Sequence, residues 1–218
     1  MANYDIDGFI GQVGAKGFAR GNLFTVYVDI AQLDQSWVSG TSITTADLAM
    51  QAQSVELPTK ALLTKEIFTQ NIPNPMGYNL QYSDLTINFL LDSNTDRMTI
   101  WGFFNTWMNR IVNPYNTYVG YKKDYSCPIY VSTIGTGKNV PKSPDHSFGA
   151  NKDTHHKSVA VKFVDCFPKT LGQASLDYSN AEVIKFPVTF AIRHFEDVKI
   201  DTDLKQMGSR TGVIGATT

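Results

Sequence analysis

Alternation of apolar and polar side chains is the dominant signal in this chain. Over Asn22–Ile30, Phe24, Val26, Val28 and Ile30 fall on one face of an extended strand, and Thr25, Tyr27 and Asp29 fall on the other, because strand side chains project with a period of two. Asp84–Leu91 repeats the pattern, with Leu85, Ile87, Phe89 and Leu91 opposing Thr86 and Asn88. Ser158–Phe167 sets Val159, Val161 and Phe163 against Ala160, Lys162 and Val164. Val183–Phe195 aligns Ile184, Phe186, Val188, Phe190 and Ile192 on one side. Shorter strands are predicted at Ser54–Leu57, Lys65–Ile72 and Ile129–Ile134. Such alternation gives each strand one face for a core and one for water or a polar partner, as in antiparallel sheets.

One segment has a helical period instead. Ser93-Asn94-Thr95-Asp96 has the form of a capping box, and Ile100, Trp101, Phe104, Trp107, Met108 and Ile111 follow at helical spacing up to Pro114. The expectation is a helix over about 94–112 whose apolar stripe packs on a sheet. Together these elements predict a mainly β fold: an antiparallel sandwich or partly open barrel with one packed helix. A single domain is expected over 1–218. Three stretches lack periodicity and are expected to be an N-terminal arm (1–20), a long surface loop (135–157) and a flexible C-terminal tail (197–218).

Composition narrows the class. Nineteen Lys and Arg against twenty Asp and Glu give a formal net charge of −1, where a general nucleic-acid binder would carry a basic excess. No apolar run reaches the ~18 residues of a membrane span, and MANYDIDGFIGQ lacks the basic-then-apolar layout of a signal peptide. Charge is unevenly placed. Up to residue 60, Lys16, Arg20 and Lys60 oppose Asp5, Asp7, Asp29, Asp34, Asp47 and Glu56, a balance of −3; from 121 to 169, eight lysines oppose four aspartates, a balance of +4. Acidic and basic surfaces on one subunit are one reading; ordinary solvated faces are the other.

Candidate chemistry fails on inspection. Gly137-Lys138 lacks the earlier glycine and the following hydroxyl of a phosphate loop, since Ser132 and Asn139 stand there. His155-His156 are adjacent and do not converge as helical metal ligands do. Cys127 and Cys166 are too few for a disulfide framework, lack a neighbouring base, and read as strand residues. His194 falls at the apolar edge of the last strand. No enzyme, metal site or cofactor is expected. A β-rich chain with arms and open strand edges points to assembly.

Two segments carry a resemblance. Phe18-Ala19-Arg20-Gly21-Asn22-Leu23-Phe24 is similar to the opening of the tail tube proteins of contractile-tailed, T-even-type bacteriophages. The close of that family is resembled by Phe167-Pro168, Leu176-Asp177-Tyr178, Phe186-x-Val188-Thr189-Phe190-Ala191-Ile192 and Phe195-Glu196. Ser54-Val55-Glu56-Leu57-Pro58 and the strand–helix succession Asp84–Ile111 occur between them in the family's order. Departures are Tyr178 in place of a usual Trp, a shorter turn from Ser179 to Lys185, a longer 135–157 loop and tail, and Pro187 within the final strand. The proline suggests an edge or a bulge there.

The resemblance implies hexameric rings stacked into a hollow tube inside a contractile sheath, conducting double-stranded DNA, assembled in the host cytoplasm and carried in the virion. Its implied partners are further copies, the sheath protein, and baseplate and tail terminator proteins; no membrane is involved. A conduit should not bind its cargo, since each phosphate neutralised by a fixed cation adds affinity. An acidic polar lumen is therefore expected, with Asp29, Glu56, Asp84 and Asn88 facing it. The basic loop carrying Lys138, Lys142, Lys152 and Lys157 is expected to meet the sheath or a neighbouring subunit. Lys65–Pro75, with Tyr78 downstream, reads as a hairpin arm for ring-to-ring contact, as do the termini. The alternatives are a tube-end or baseplate-side ring protein that initiates the tube and, from another class, a β-barrel binding module or small enzyme with a closed apolar pocket.

Overall fold

A computed structural model gives the fold and describes residues 21–69, 72–93, 99–135, 156–174, 178 and 182–198. In chain order the elements are β1 (Phe24–Val28), a 3-10 turn (Ile30–Gln32), α1 (Gln35–Val38), α2 (Thr45–Gln51), β2 (Ala52–Glu56), β3 (Lys60–Thr69), β4 (Ile72–Tyr82), β5 (Leu85–Leu90), α3 (Ile100–Ile111), α4 (Lys122–Tyr125), β6 (Cys127–Gly135), β7 (His156–Leu171), β8 (Lys185–Ala191) and β9 (His194–Asp197). The protein is mainly β. A seven-stranded sheet runs in the order β1-β6-β7-β8-β5-β2, with β9 pairing β7, and β3–β4 form a separate two-stranded ribbon. The pairs β2–β5, β3–β4, β5–β8 and β7–β8 are antiparallel.

Two compact units share β1, β6, β7 and β9: Met1–Val26 with Tyr130–Lys162 and Glu196–Thr218, and Tyr27–Ile129 with Phe163–Phe195. In the first, the Val198 amide donates to the Ala160 carbonyl at 2.9 Å, and Tyr130 packs against this buried pair. The Thr25 and Ser132 hydroxyls lie 2.7 Å apart. Val198 is thus part of the fold although it belongs to the segment expected as a tail.

The second unit holds the aromatic core. Leu85, Ile87 and Phe89 of β5 and Phe186, Val188 and Phe190 of β8 are fully buried, as their alternation requires. Cross-strand register sets Leu85 opposite Phe190, Ile87 opposite Val188, and Phe89 opposite Phe186. Helix α3 covers this face. The Phe104 ring lies 5.0 Å from Phe89 and 5.8 Å from Phe190, and the Trp107 indole donates to the Tyr125 carbonyl at 2.8 Å.

Several expectations are corrected here. The cap of α3 is Thr99, whose hydroxyl accepts from the Gly102 amide, so the helix begins several residues after Ser93; residues 94–98 lie outside the described residues. Its buried stripe is Ile100, Phe103, Phe104 and Trp107. Met108 and Ile111 are half-buried, and Trp101 is 43% exposed, because its position lies a hundred degrees from Ile100 around the helix. The capping box belongs to α2, where Thr44 and Asp47 cap each other reciprocally. Among the described side chains of β7 the buried positions are Ala160, Phe163, Cys166 and Pro168, so simple alternation fails. The strand passes between units after Lys162, and Asp165 adopts φ 56°, which slips the register of faces. Pro187 is on an interior strand between β7 and β5. The bulge lies in its partner β7, between Pro168 and Thr170.

Candidate functional site

The most exposed element is the β3–β4 ribbon. It runs from Lys60 opposite Tyr82 to Thr69 opposite Ile72, with a register shift between Leu63 and Thr64. Leu62 and Leu80 sit directly opposite each other, and a Cβ on Gly77 would come within 2.8 Å of Leu62 Cδ2. The bare glycine therefore lets this leucine lie across the ribbon. Lys60 and Tyr82 fix the root: the Tyr82 ring meets Phe195 edge-on at 5.3 Å, and Lys60 Nζ lies 5.8 Å and 6.0 Å from the two rings. Beyond the root, Leu62, Ile67, Phe68, Ile72, Met76, Tyr78 and Leu80 are exposed. A lone two-stranded ribbon is marginal in water, and contiguous apolar exposure of this kind is rare on the surface of a monomeric protein.

The sheet supplies a second feature. Among the described residues, its two terminal strands, β1 and β2, each have one neighbour, which makes them the edges of the sheet. The face of β2, β5 and β8 turned away from α3 is mostly polar, interrupted by Pro187 opposite Asn88 and Leu90 opposite Lys185. Glu56 stands opposite Thr86 and Ser54 opposite Asn88, while Thr86 stands opposite Thr189. Asn88 donates from Nδ2 to Ser54 Oγ at 2.7 Å, and the Thr86 and Thr189 hydroxyls lie 3.5 Å apart. Lys185, opposite Leu90, is exposed near one end of this face.

The residues expected to line a lumen are distributed as follows. Glu56 and Asn88 share the polar face. Asp84 is ion-paired with Lys169 at 2.7 Å. Asp29 is 5% exposed and accepts from Gln32 Nε2 at 2.8 Å, so it offers little charge to solvent. Lys138, Lys142 and Lys152 lie outside the described residues, as does the side chain of Lys157.

Reactive groups are muted. Burial raises the Cys127 thiol well above its usual range, with a further push from nearby Cys166 and Asp29. Burial likewise moves Cys166 up to about 12. Among the described residues, no cluster of His, Cys, Asp and Glu is arranged to hold a metal ion, and no helix is long and apolar enough to cross a membrane.

The model of the phage tail tube protein family matches residues 19–197. The chain belongs to the phage tail tube family. The match takes in β1, the whole sheet, the ribbon and β9, so the polar face and the open edges are features of a tail tube protein. Its fold is shared with a chain of the anti-feeding prophage cap, a tube-terminating cap, at TM-score 0.55 and 13% identity, covering 91% of this chain and 99% of that one. A chain from the sheath–tube complex of an extracellular contractile injection system, PVC, in its extended state matches at TM-score 0.52 and 14% identity, covering 86% and 97%. A third match, from the anti-feeding prophage baseplate, has TM-score 0.52 and 7% identity, covering 84% and 97%. Comparison with curated proteins returned no match.

Sequence reasoning did not find the Asp84–Lys169 pair, because Lys169 is the extra residue of the β7 bulge and bulges leave no periodic trace. Nor did it find the cluster in which Lys122 and Arg193 reach Asp165 at 3.4 Å and 3.5 Å; these three residues come from distant segments.

Proposed function

We propose that this tail tube protein is the repeating subunit of the inner tube of a contractile tail. Hexameric rings form when β1 of one copy pairs beside β2 of the next, which removes both open edges. The observation that carries the reading is the two-sided sheet. One face is sealed by α3 through Phe89, Phe104, Phe186 and Phe190, and the other presents hydroxyl and amide groups in a sheet that ends in two edge strands. Closed into a ring, that second face becomes the wall of a polar bore.

The bore conducts double-stranded DNA without gripping it. Glu56 and Lys185 balance each other on this face, and Asp84 is neutralised by Lys169. We therefore propose a nearly neutral wall rather than a strongly acidic one, in which each lysine is offset by a carboxylate and no cationic excess is left to hold phosphate. The ribbon reaches the adjacent ring and buries its apolar side chains there, with the segments 1–20 and 199–218 adding contacts. Lys138, Lys142, Lys152 and Lys157 contact the sheath or a neighbouring subunit, and baseplate and terminator proteins meet the two tube ends. Assembly takes place in the host cytoplasm, and the tube leaves in the virion. The role is structural, with no reaction.

Negative-stain electron microscopy over rising concentration, with added baseplates as nuclei, tests this directly. Hollow six-fold tubes are expected; a chain that stays monomeric with baseplates present refutes it. Deleting Thr136–His155 and finding unchanged sheath assembly would remove the lysine loop from the sheath contact. Because tube and cap chains share the fold, copy number per particle separates a main-tube subunit from an end ring: many rings against one.

A further inference from the structure

The connection between α3 and α4 is densely hydrogen-bonded for a surface loop, yet its most prominent side chains are exposed. Val112 and Val119 form an isolated antiparallel bridge. The Asn113 amide donates to the Tyr118 carbonyl and the Thr117 amide to the Asn113 carbonyl, both at 2.9 Å, and the Gly120 amide donates to Ile111 at 3.0 Å. Two asparagine side chains complete the scaffold: Asn113 Oδ1 accepts from the Tyr115 amide at 2.9 Å, and Asn116 Oδ1 from the Tyr118 amide at 3.1 Å. Gly120 is required, since a Cβ there would stand 2.9 Å from the Arg110 carbonyl oxygen. At the tip Tyr115 is 96% exposed and Tyr118 61%. A rigid backbone presenting tyrosines is a low-entropy anchor, because little freedom remains to be lost when the rings are covered.

Its place in the second unit points to the occupant. Tyr125 of α4 meets Phe167 edge-on at 5.4 Å, Phe167 is paired with Ala191, and Leu85, which follows the ribbon, is paired with Phe190. The tyrosine loop and the ribbon root are therefore at the same end of the sheet. The other end of β5 is flanked by the starts of β2 and β8, where Ala52 stands opposite Phe89 and Lys185 opposite Leu90. There Met50 is 78% exposed and Val183 58%. In a head-to-tail stack of identical rings, one end of each subunit faces the opposite end of the next.

We infer that the Asn113–Tyr121 loop is a second stacking contact, seating Tyr115 and Tyr118 on the Met50–Val183 end of a second copy in the adjoining ring. This rests on the ring-stacking reading above and extends the ribbon's interface sideways. Met50 suits the role, since a thioether packs favourably on an aromatic ring.

The test uses the full chain, followed by sedimentation and electron microscopy over rising concentration with baseplates as nuclei. Wild type is compared with Tyr115→Ser/Tyr118→Ser, with Met50→Ser, and with all three changes together. The expected result is rings of unchanged diameter throughout, with the stacking concentration raised about tenfold or more by the tyrosine pair. The triple variant should stack little worse than the tyrosine pair, because substitutions on facing surfaces are not additive. A second readout needs no variant: iodination of Tyr115 and Tyr118 in wild type should be blocked in tubes and open in single rings. Unchanged stacking, additive losses, iodination that is equal in rings and tubes, or loss of the rings themselves overturns the assignment. Normal tubes that fail to take up sheath protein also overturn it, and make the sheath the occupant. Wild type forming no rings at all refutes instead the ring reading on which the inference rests.

Discussion

Gly172→Ala isolates a contact that lets β7 close against the wall of the proposed bore. The Gly172 amide donates to the Pro187 carbonyl at 2.7 Å, and Pro187 stands opposite Asn88 on β5. A Cβ added at Gly172 would lie 2.8 Å from Pro187 Cδ and 2.9 Å from its carbonyl oxygen, and closer still to Cγ. Carbon atoms settle at about 3.5–4.0 Å. The ring and a hydrogen-bonded backbone oxygen must both give way, and neither is the free end of a flexible chain. Overpacking of this kind costs about 1–3 kcal/mol, and stiffening of the unfolded chain returns about 0.4–1 kcal/mol. The net loss is about 1–2 kcal/mol, which lowers Tm by roughly 2–8 °C in a domain of this size. The assay is thermal unfolding by circular dichroism at one low protein concentration, so that assembly does not shift the midpoint. Gly172→Ala should also raise the concentration at which rings form. Adding Pro187→Ala removes Cγ and Cδ but keeps the carbonyl, so the second change should recover part of the loss, with a coupling of at least about 0.5 kcal/mol. A neutral or stabilising Gly172→Ala, or purely additive effects, would refute the steric account.

Four further outcomes follow from the same structure. Phe104→Ala should cost about 3–5 kcal/mol, because it empties the centre of the aromatic cluster, whereas Trp101→Ala should change stability by less than about 1 kcal/mol; urea denaturation midpoints read both. At Asp165, held at φ 56° with two partly exposed ion pairs, Gly should be nearly neutral and Val should cost about 1–3 kcal/mol. Both cysteines should resist a thiol reagent at pH 8 and react once the chain is denatured, since burial holds Cys166 up to about 12 and Cys127 higher than usual; prompt labelling of the native protein would contradict their burial. The Ser36 amide and hydroxyl hold Asp34 below the ordinary carboxylate range. Its stabilising effect is therefore complete above the unfolded-state pKa and is lost as pH falls through the folded one, so an Asp34→Ala variant should narrow its deficit against wild type only under strongly acid conditions.

The parts of this tail tube protein that could be read from its sequence are those in which one side chain reports one environment. Leu85, Ile87 and Phe89, or Phe186, Val188 and Phe190, alternate because a single core lies on one side of their strands, and period two survives into the structure. The helix was legible for the same reason, but its rotation was not. Trp101 and Phe103 are both large and aromatic, and it is packing against a distant segment, where the Trp37 ring lies 5.7 Å from Phe103, that decides which of them turns inward. Its start was misplaced because Ser93 and Thr99 are both competent caps, and hydrogen bonding at Gly102 chooses between them. Strand β7 shows where periodicity ends: Asp165 in the left-handed region and Lys169 in a bulge break the alternation, and each ion-pairs with residues far away in sequence. The ribbon is the instructive case. Leu62, Ile67, Phe68 and Met76 alternate too weakly to name a buried face because, within one chain, neither face is buried. On the proposed stacking, contacts between copies would keep apolar residues where a single copy has no use for them, and the exposed apolar side chains of the ribbon and the tyrosine loop fit that account.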